Sequence, residues 1–152
     1  MKKQKGFSLI ELLIVVAIIL IIAAIAIPNL IKSKMAANES SAVGSLRTIT
    51  TANIAYSTAC PSVGFAATLA ELQAGASCAA ASNEIDNTLS TGTKSGYSFV
   101  YTPGSGTPLT QFTTAANPLT TSSGTRHFFV DESGVIRANA TAAATVNDNA
   151  LQ

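Results

Sequence analysis

The sequence predicts an α+β fold in which one long N-terminal helix packs against a small antiparallel sheet of about four strands. Three observations support this prediction. Residues 7–31 form an almost wholly apolar run, residues 35–59 carry an amphipathic helical period, and beyond residue 96 the hydrophobic period changes to two. About 90 residues remain after the helix, which is enough for one small domain.

Changes in composition divide the chain into consecutive segments. The predicted segments are a basic leader (1–6), a membrane-spanning helix (7–31), an amphipathic extension of that helix (32–59), a globular head with a loop and an antiparallel sheet (60–138) and a C-terminal tail (139–152).

The apolar run is long enough to cross a lipid bilayer. At 1.5 Å per residue, a helix over residues 7–31 would extend about 37 Å, and the hydrocarbon core is about 30 Å thick. The lysines of the leader would stay in the cytoplasm by the positive-inside tendency, which places the head on the other side. Pro28 predicts a kink near the end of the run, because proline has no backbone N–H to donate.

An ordinary secretory signal peptide is the alternative interpretation of this run. Its apolar region is longer than the usual stretch of about 7 to 15 residues. The small residues Ala23, Ala24 and Ala26 precede Ile27 and Pro28, which is a poor context for cleavage. A cut in front of the run, which keeps the helix, agrees better with the sequence.

The start of the run carries a specific motif. Residues 5–13, Lys-Gly-Phe-Ser-Leu-Ile-Glu-Leu-Leu, resemble the processing and assembly motif of the type IV pilin superfamily, which includes pilus subunits and the pseudopilins of type II secretion. The resemblance implies that a membrane-bound prepilin peptidase cuts between Gly6 and Phe7 and methylates Phe7, and that Glu11 acts in assembly. The implied partners are identical subunits, the prepilin peptidase and an inner-membrane assembly platform. The chain would lie in the bacterial inner membrane before assembly and in a cell-surface or periplasmic filament afterwards.

The chemistry of Glu11 agrees with such a role. A carboxylate in an apolar helix is costly in lipid, by roughly 2.5 to 3.5 kcal/mol at the bilayer centre and less near an interface. Cleavage after Gly6 would create an ammonium group on Phe7, and methylation would leave it cationic. In a low dielectric this group can pair strongly with Glu11 of its own or a neighbouring helix. A Glu11 that snorkels or is protonated, without a role in assembly, is the alternative.

The outer half of the helix carries one apolar stripe. Its members recur at alternating spacings of four and three: Ala42, Leu46, Ile49, Asn53 and Tyr56. This stripe is predicted to cover the sheet. Glu39, Ser45 and Arg47 fall mostly elsewhere and are expected to face solvent or neighbouring subunits.

Cys60 and Cys78 are the two cysteines, and the topology places both on the oxidising side of the membrane. A disulfide between them is predicted, with two reduced buried thiols as the alternative. The bridge would close a loop of about 19 residues and contribute roughly 3 kcal/mol of stability. Inside this loop, Thr68 and Glu71 form a capping-box pattern that predicts a short helix.

Four strands are predicted after a connecting loop over residues 79–93, in which Ile85 and Leu89 are expected anchors. The strands are residues 97–101, 109–115, 126–130 and 135–138, separated by segments rich in Gly, Pro, Ser and Thr.

The tail is rich in Ala, Thr and Asn without a period, and it is expected to be partly ordered at best. Asn139 begins a glycosylation sequon, a pattern that is common by chance. Asp131, Glu132 and Asp148 are weak candidates for calcium ligands, since they do not form a calcium-loop motif.

Composition argues against other function classes. The net charge is +1, and removal of the leader would leave six basic against eight acidic side chains, so no basic surface for nucleic acid is expected. No phosphate-binding glycine loop or zinc spacing is present, and His127 lies in a strand pattern without a nucleophile motif nearby.

We therefore expect a non-enzymatic chain without a cofactor: a structural subunit of a pilus-like filament. A pseudopilin of type II secretion is the alternative within the family, and an envelope enzyme held by one helix is a less favoured alternative.

Overall fold

The computed structural model describes residues 7–74 and 85–151. The chain divides into two compact units, one up to Lys34 and one from Met35 onwards. Helix α1 (Leu9–Ala59) is 51 residues long and runs through Pro28, so the predicted long helix is confirmed. It ends before Pro61, which cannot continue the ladder of helical hydrogen bonds.

The second unit contains a six-stranded antiparallel sheet whose order follows the sequence. Its strands are β1 (Thr93–Lys94), β2 (Tyr97–Pro103), β3 (Phe112–Pro118), β4 (His127–Asp131), β5 (Arg137–Asn139) and β6 (Asn149–Ala150). The α+β class is confirmed, but the predicted number of about four strands is wrong. The two missed strands, β1 and β6, have two residues each, which is too short for a period of two to be recognised.

The core of the second unit lies between the outer half of α1 and one face of the sheet. The predicted stripe is buried: Ala42, Leu46, Ile49, Asn53 and Tyr56 are at most 4% exposed. The inner face of the sheet contributes alternate residues of its three longest strands, which are Tyr97, Phe99, Phe112, Thr114, Ala116, Phe128 and Val130. Alternation along each strand therefore places every second side chain on the face that packs in the core.

Two short helices lie between α1 and the sheet. Helix α2 (Leu69–Ala74) begins as predicted, since the Thr68 hydroxyl accepts a hydrogen bond from the Glu71 N–H. Helix α3 (Asn87–Ser90) follows Asp86, whose carboxylate accepts from the Leu89 N–H at 2.7 Å. Part of the predicted loop over 79–93 is therefore regular, whereas Ile85 and Leu89 are buried as expected.

The expectation of a partly ordered tail is wrong. Asn139 Oδ1 accepts hydrogen bonds from the N–H groups of Thr141 and Ala142. Ala144 is 5% exposed, and the Leu151 N–H donates to the Ile136 carbonyl at 2.8 Å. Side-chain hydrogen bonds to nearby backbone organise this segment, and such bonds leave no hydrophobic period in the sequence.

Candidate processing and assembly site

The predicted processing site lies where α1 begins. Phe7 is 83% exposed, and the Ser8 carbonyl accepts the first helical hydrogen bond, from the Leu12 N–H at 3.2 Å. The Ser8 N–H in turn donates to Glu11 Oε2 at 2.9 Å. This bond is one half of a capping box, in which the side chain at the third helical position satisfies the N–H of the N-cap residue. Gly6 lies outside the described residues.

This geometry gives Glu11 a structural task within its own chain. Its Oε2 fixes the start of α1, and among residues 7–74 and 85–151 its Oε1 accepts no hydrogen bond. One carboxylate oxygen is therefore engaged locally while the other is available to a further donor. The backbone nitrogen of Phe7, which cleavage after Gly6 would convert into an amine, precedes the Ser8 nitrogen by one residue.

The inner part of α1 presents apolar side chains on every face. One helix in the described part of the chain is long and apolar enough to cross a membrane, with a mean hydropathy of 3.3 over its most apolar 18-residue window, none of which is buried. The large apolar residues of this part are all exposed, from 80% at Leu9 to 46% at Val16 and 44% at Ile31. A contiguous apolar surface of this kind indicates a membrane or protein partner.

The known proteins to which this chain is similar agree with the motif and the apolar helix. Residues 1–27 match the family model for the prokaryotic N-terminal methylation motif. The type IV wide pilus major component PilA4 of Thermus thermophilus is 59% identical over 39 residues, which cover 26% of this chain and 30% of that protein. The type IV major pilin protein PilA of Myxococcus xanthus is 50% identical over 54 residues, which cover 36% of this chain and 24% of that protein.

Residues 1–27 therefore carry the prokaryotic N-terminal methylation motif, and the N-terminal part of this chain is similar to type IV pilins. The chain spans 30% and 24% of the length of these two curated relatives. No solved structure matches it. The predicted resemblance of residues 5–13 to the motif of type IV pilins is therefore confirmed.

The other residues predicted for sites fall into different parts of the fold. Pro28 lies inside α1, and its predicted kink stays a prediction. Cys60 is 1% exposed, whereas Cys78 lies outside the described residues, so their pairing also stays a prediction.

Two of the three weak calcium candidates, Asp131 and Asp148, have local hydrogen-bonding partners. Asp131 accepts from the hydroxyl and the N–H of Ser133. The N–H of Thr145, the Asn139 amide and the Thr145 hydroxyl hold the pKa of Asp148 below its usual value. Within residues 7–74 and 85–151, no three His, Cys, Asp or Glu side chains lie close enough together to hold a metal ion.

A buried carboxylate joins α1 to the connection between β3 and β4. Ser45 and Glu39 were both expected to face solvent or neighbouring subunits, but Ser45 is 4% exposed and Glu39 is 8% exposed. Its Oε1 accepts from the N–H groups of Thr125 and Arg126 at 3.0 and 3.3 Å, and from the Thr125 hydroxyl at 3.2 Å. Its Oε2 lies 2.7 Å from Arg126 Nε. Glu39 stands three residues before Ala42, so it continues the buried stripe, and its position on that stripe was the signal that could have revealed it.

These contacts set the charge of the Glu39 clamp, which we define as Glu39 with Thr125 and Arg126. Burial by itself raises the pKa of Glu39, but the hydrogen bonds from Thr125 and Arg126 and the charge of Arg126 outweigh it, so the pKa lies below its usual value. Burial and the nearby Glu39 charge raise the pKa of Tyr97 to about 12. The Tyr97 hydroxyl donates to the Arg126 carbonyl at 2.8 Å, which ties the same loop to β2.

A second polar group is buried in the middle of the stripe. Asn53 is 0% exposed, and its Oδ1 accepts from the Ala66 N–H at 3.2 Å. The Tyr101 hydroxyl lies 3.0 Å from that same oxygen and 2.7 Å from the Ala66 carbonyl oxygen. Asn53 Nδ2 donates to the Ile49 carbonyl. The amide thereby holds the segment after α1 against both the helix and the sheet, which explains a polar residue in an apolar stripe.

Proposed function

We propose that this chain is a structural subunit of a type IV pilus-like filament, processed between Gly6 and Phe7 by a prepilin peptidase. The observation that carries the proposal is the juxtaposition of the motif with an apolar helix that nothing in its own unit buries. Before assembly the helix would reside in the inner membrane. The pilus is favoured over a secretion pseudopilin because both curated relatives are named as major pilus components. The names of the same relatives support a structural role rather than an enzymatic one.

Polymerisation would use a heterologous contact, in which one surface meets a different surface on the next copy and the chain of contacts does not close. The apolar parts of α1 would pack together in the centre of the filament. Lipid already shelters these side chains before assembly, so hydrophobic burial contributes less than in water. Electrostatic pairing between the Phe7 amine and Glu11 would then fix the axial register, since such pairing is strong in a low dielectric. An inner-membrane assembly platform would extract the subunits.

The capping bond allows a sharp test of the role of Glu11. Glu11→Gln keeps an oxygen that accepts from the Ser8 N–H, because glutamine also serves in capping boxes, but removes the charge. Glu11→Ala removes both the charge and the cap. If the charge sets the register, both variants insert and are cleaved, yet neither assembles efficiently. Sheared filaments are quantified against the processed subunit in the membrane fraction.

A control comes from the exposed Glu132, whose substitution by glutamine should leave filament yield unchanged. Normal filament yield from Glu11→Gln with failure of Glu11→Ala would reduce Glu11 to a helix cap. Normal yield from both variants would contradict any assembly role for this residue.

A further inference from the structure

An open cleft of about 450 Å³ lies between the β3–β4 connection and the turn that follows β5. Its volume falls within the range of about 300 to 1,000 Å³ that is usual for small-molecule sites. The threonine cleft, as we call it, is lined chiefly by Leu119, Thr120, Thr121, Thr125, His127 and Thr141. All its lining residues belong to the second unit, whereas the processing site belongs to the first.

The lining combines hydroxyl groups with a small apolar edge and carries no formal charge from Asp, Glu, Lys or Arg. An anionic or cationic ligand would therefore find no opposite charge in the cleft. The hydroxyls of Thr120, Thr125 and Thr141 already have partners within the protein, whereas the Thr121 hydroxyl and one ring nitrogen of His127 have none in the described residues, so a purely apolar ligand would bury these two groups at a cost. A neutral ligand rich in hydroxyl groups meets neither cost, because its hydroxyls can donate to or accept from these two groups.

His127 supplies a directed acceptor in this lining. Its Nδ1 lies 2.7 Å from Asn117 Oδ1, and because a carbonyl oxygen only accepts, Nδ1 carries the proton in the neutral ring. Nε2 is then left with a lone pair. Within residues 7–74 and 85–151, neither Nε2 nor the Thr121 hydroxyl has a hydrogen-bonding partner. Asn117 thus fixes the tautomer that presents an acceptor to a ligand hydroxyl.

The walls of the cleft are held in place before any ligand arrives. The Glu39 clamp fixes Thr125 through its N–H and its hydroxyl, and Asn139 Oδ1 fixes Thr141 in the same two ways. On the apolar edge, the Leu119 N–H donates to the Gly96 carbonyl at 2.9 Å, and Leu119 is 56% exposed. Fixed walls reduce the entropy that binding would otherwise cost.

We propose that the threonine cleft binds a neutral saccharide, with His127 Nε2 and Thr121 as hydrogen-bonding partners and Leu119 against a C–H face of the sugar ring. Sugars present alternating hydroxyl groups and apolar C–H faces, which match the two parts of this lining. An open cleft without a stacked aromatic ring suits weak binding.

Nuclear magnetic resonance on the full-length ¹⁵N-labelled chain in detergent micelles tests this proposal. The probes are neutral sugars (glucose, galactose and N-acetylglucosamine), a charged pair (glucuronic acid and glucosamine) and an apolar molecule of similar size, cyclohexanol. Neutral sugars should shift the His127 ring Nε2 signal and the backbone amides of residues 119–125 saturably, in the millimolar range. The charged sugars and cyclohexanol should bind at least about threefold more weakly.

Thr121→Val should weaken neutral-sugar binding roughly fivefold to tenfold, which corresponds to one lost hydrogen bond. Thr113 lies on the same sheet face as His127 but outside the cleft. Thr113→Val is therefore the matched control and should leave the affinity unchanged. The amide spectra of both variants report whether the fold is retained. Absence of saturable shifts with any neutral sugar would overturn the proposal, as would stronger binding of a charged sugar or equal affinities of the two variants.

Discussion

Replacing Glu39 with glutamine removes the negative charge from the clamp while the size of the side chain stays the same. The carboxylate accepts four hydrogen bonds, from two N–H groups, one hydroxyl and Arg126 Nε. Glutamine can still accept from the loop with Oε1, but its amide nitrogen would face Arg126 Nε, so two donors would meet. The charged bond to Arg126 is therefore lost outright, and the remaining bonds become weaker neutral ones.

The size of the effect follows from these contacts. A hydrogen bond to a charged group contributes about 1.5 to 3 kcal/mol, against about 0.5 to 1.5 kcal/mol for a neutral one. The Arg126 side chain is 45% exposed, so solvent screens its share and the lower end applies to that bond. We expect Glu39→Gln to lower the free energy of unfolding by about 2 kcal/mol, and Glu39→Ala by more, because it also leaves buried donors unpaired.

Denaturant unfolding of the detergent-solubilised chain, followed by tyrosine fluorescence, measures this loss. Hydrogen exchange at the amides of Thr125 and Arg126 gives the local readout, which should show reduced protection. Glu132→Gln, at an exposed site, is the control and should change stability by less than about 0.5 kcal/mol. A loss below that value for Glu39→Gln, with the Thr125 amide still protected, would refute the clamp.

The clamp also predicts a pH dependence. The folded-state pKa of Glu39 lies below its usual value, so the unfolded chain binds the proton first as the pH falls. The stabilisation is complete above the unfolded pKa, which is about 4.3, and is lost as the pH falls through the lower folded value. The stability difference between the wild type and Glu39→Gln should therefore shrink below about pH 4.

Three further substitutions follow from local geometry, each measured by the same unfolding experiment. The Thr114 hydroxyl is buried without a partner in the described residues, so Thr114→Val should raise stability by about 1 kcal/mol, and a loss would show that the hydroxyl is satisfied. Gly64 has φ +83°, and an added Cβ would lie 2.1 Å from the Leu109 carbonyl oxygen. Gly64→Ala should therefore lower stability by at least about 2 kcal/mol. A Cβ added at Gly44 would meet no atom of the described residues within 4 Å beyond the adjacent backbone of its own helix, so Gly44→Ala should raise stability by about 0.5 to 1 kcal/mol. Equal effects at the two glycines would contradict this account.

Much of the fold could be predicted because apolar residues recur with clear helical and strand periods and because the chain carries specific motifs. The apolar run and the stripe from Ala42 to Tyr56 predicted α1. The stripe was recognisable because burial of one helix face against a sheet imposes the helical period on the sequence. The capping pattern of Thr68 and Glu71 located α2. The motif around Gly6 predicted a resemblance to type IV pilins, and residues 1–27 match the N-terminal methylation motif.

Two of the missed features, the burial of Glu39 and the last strand, depend on contacts with residues in other elements. Glu39 and Arg126 are 87 positions apart, and no local pattern joins them. A charged residue on a buried stripe was assigned to solvent, because charge usually excludes burial unless a partner compensates it. The strand Asn149–Ala150 forms because Arg137 and Ala138 offer a free edge, which two residues cannot indicate by themselves.

The central claim is that the chain is cut between Gly6 and Phe7 and keeps its apolar helix. Intact mass spectrometry with N-terminal sequencing of protein purified from the native membrane tests it most directly. We predict a chain that begins at Phe7 and carries one additional methyl group. A chain that still begins at Met1, or one that begins after Ala26, would contradict the account.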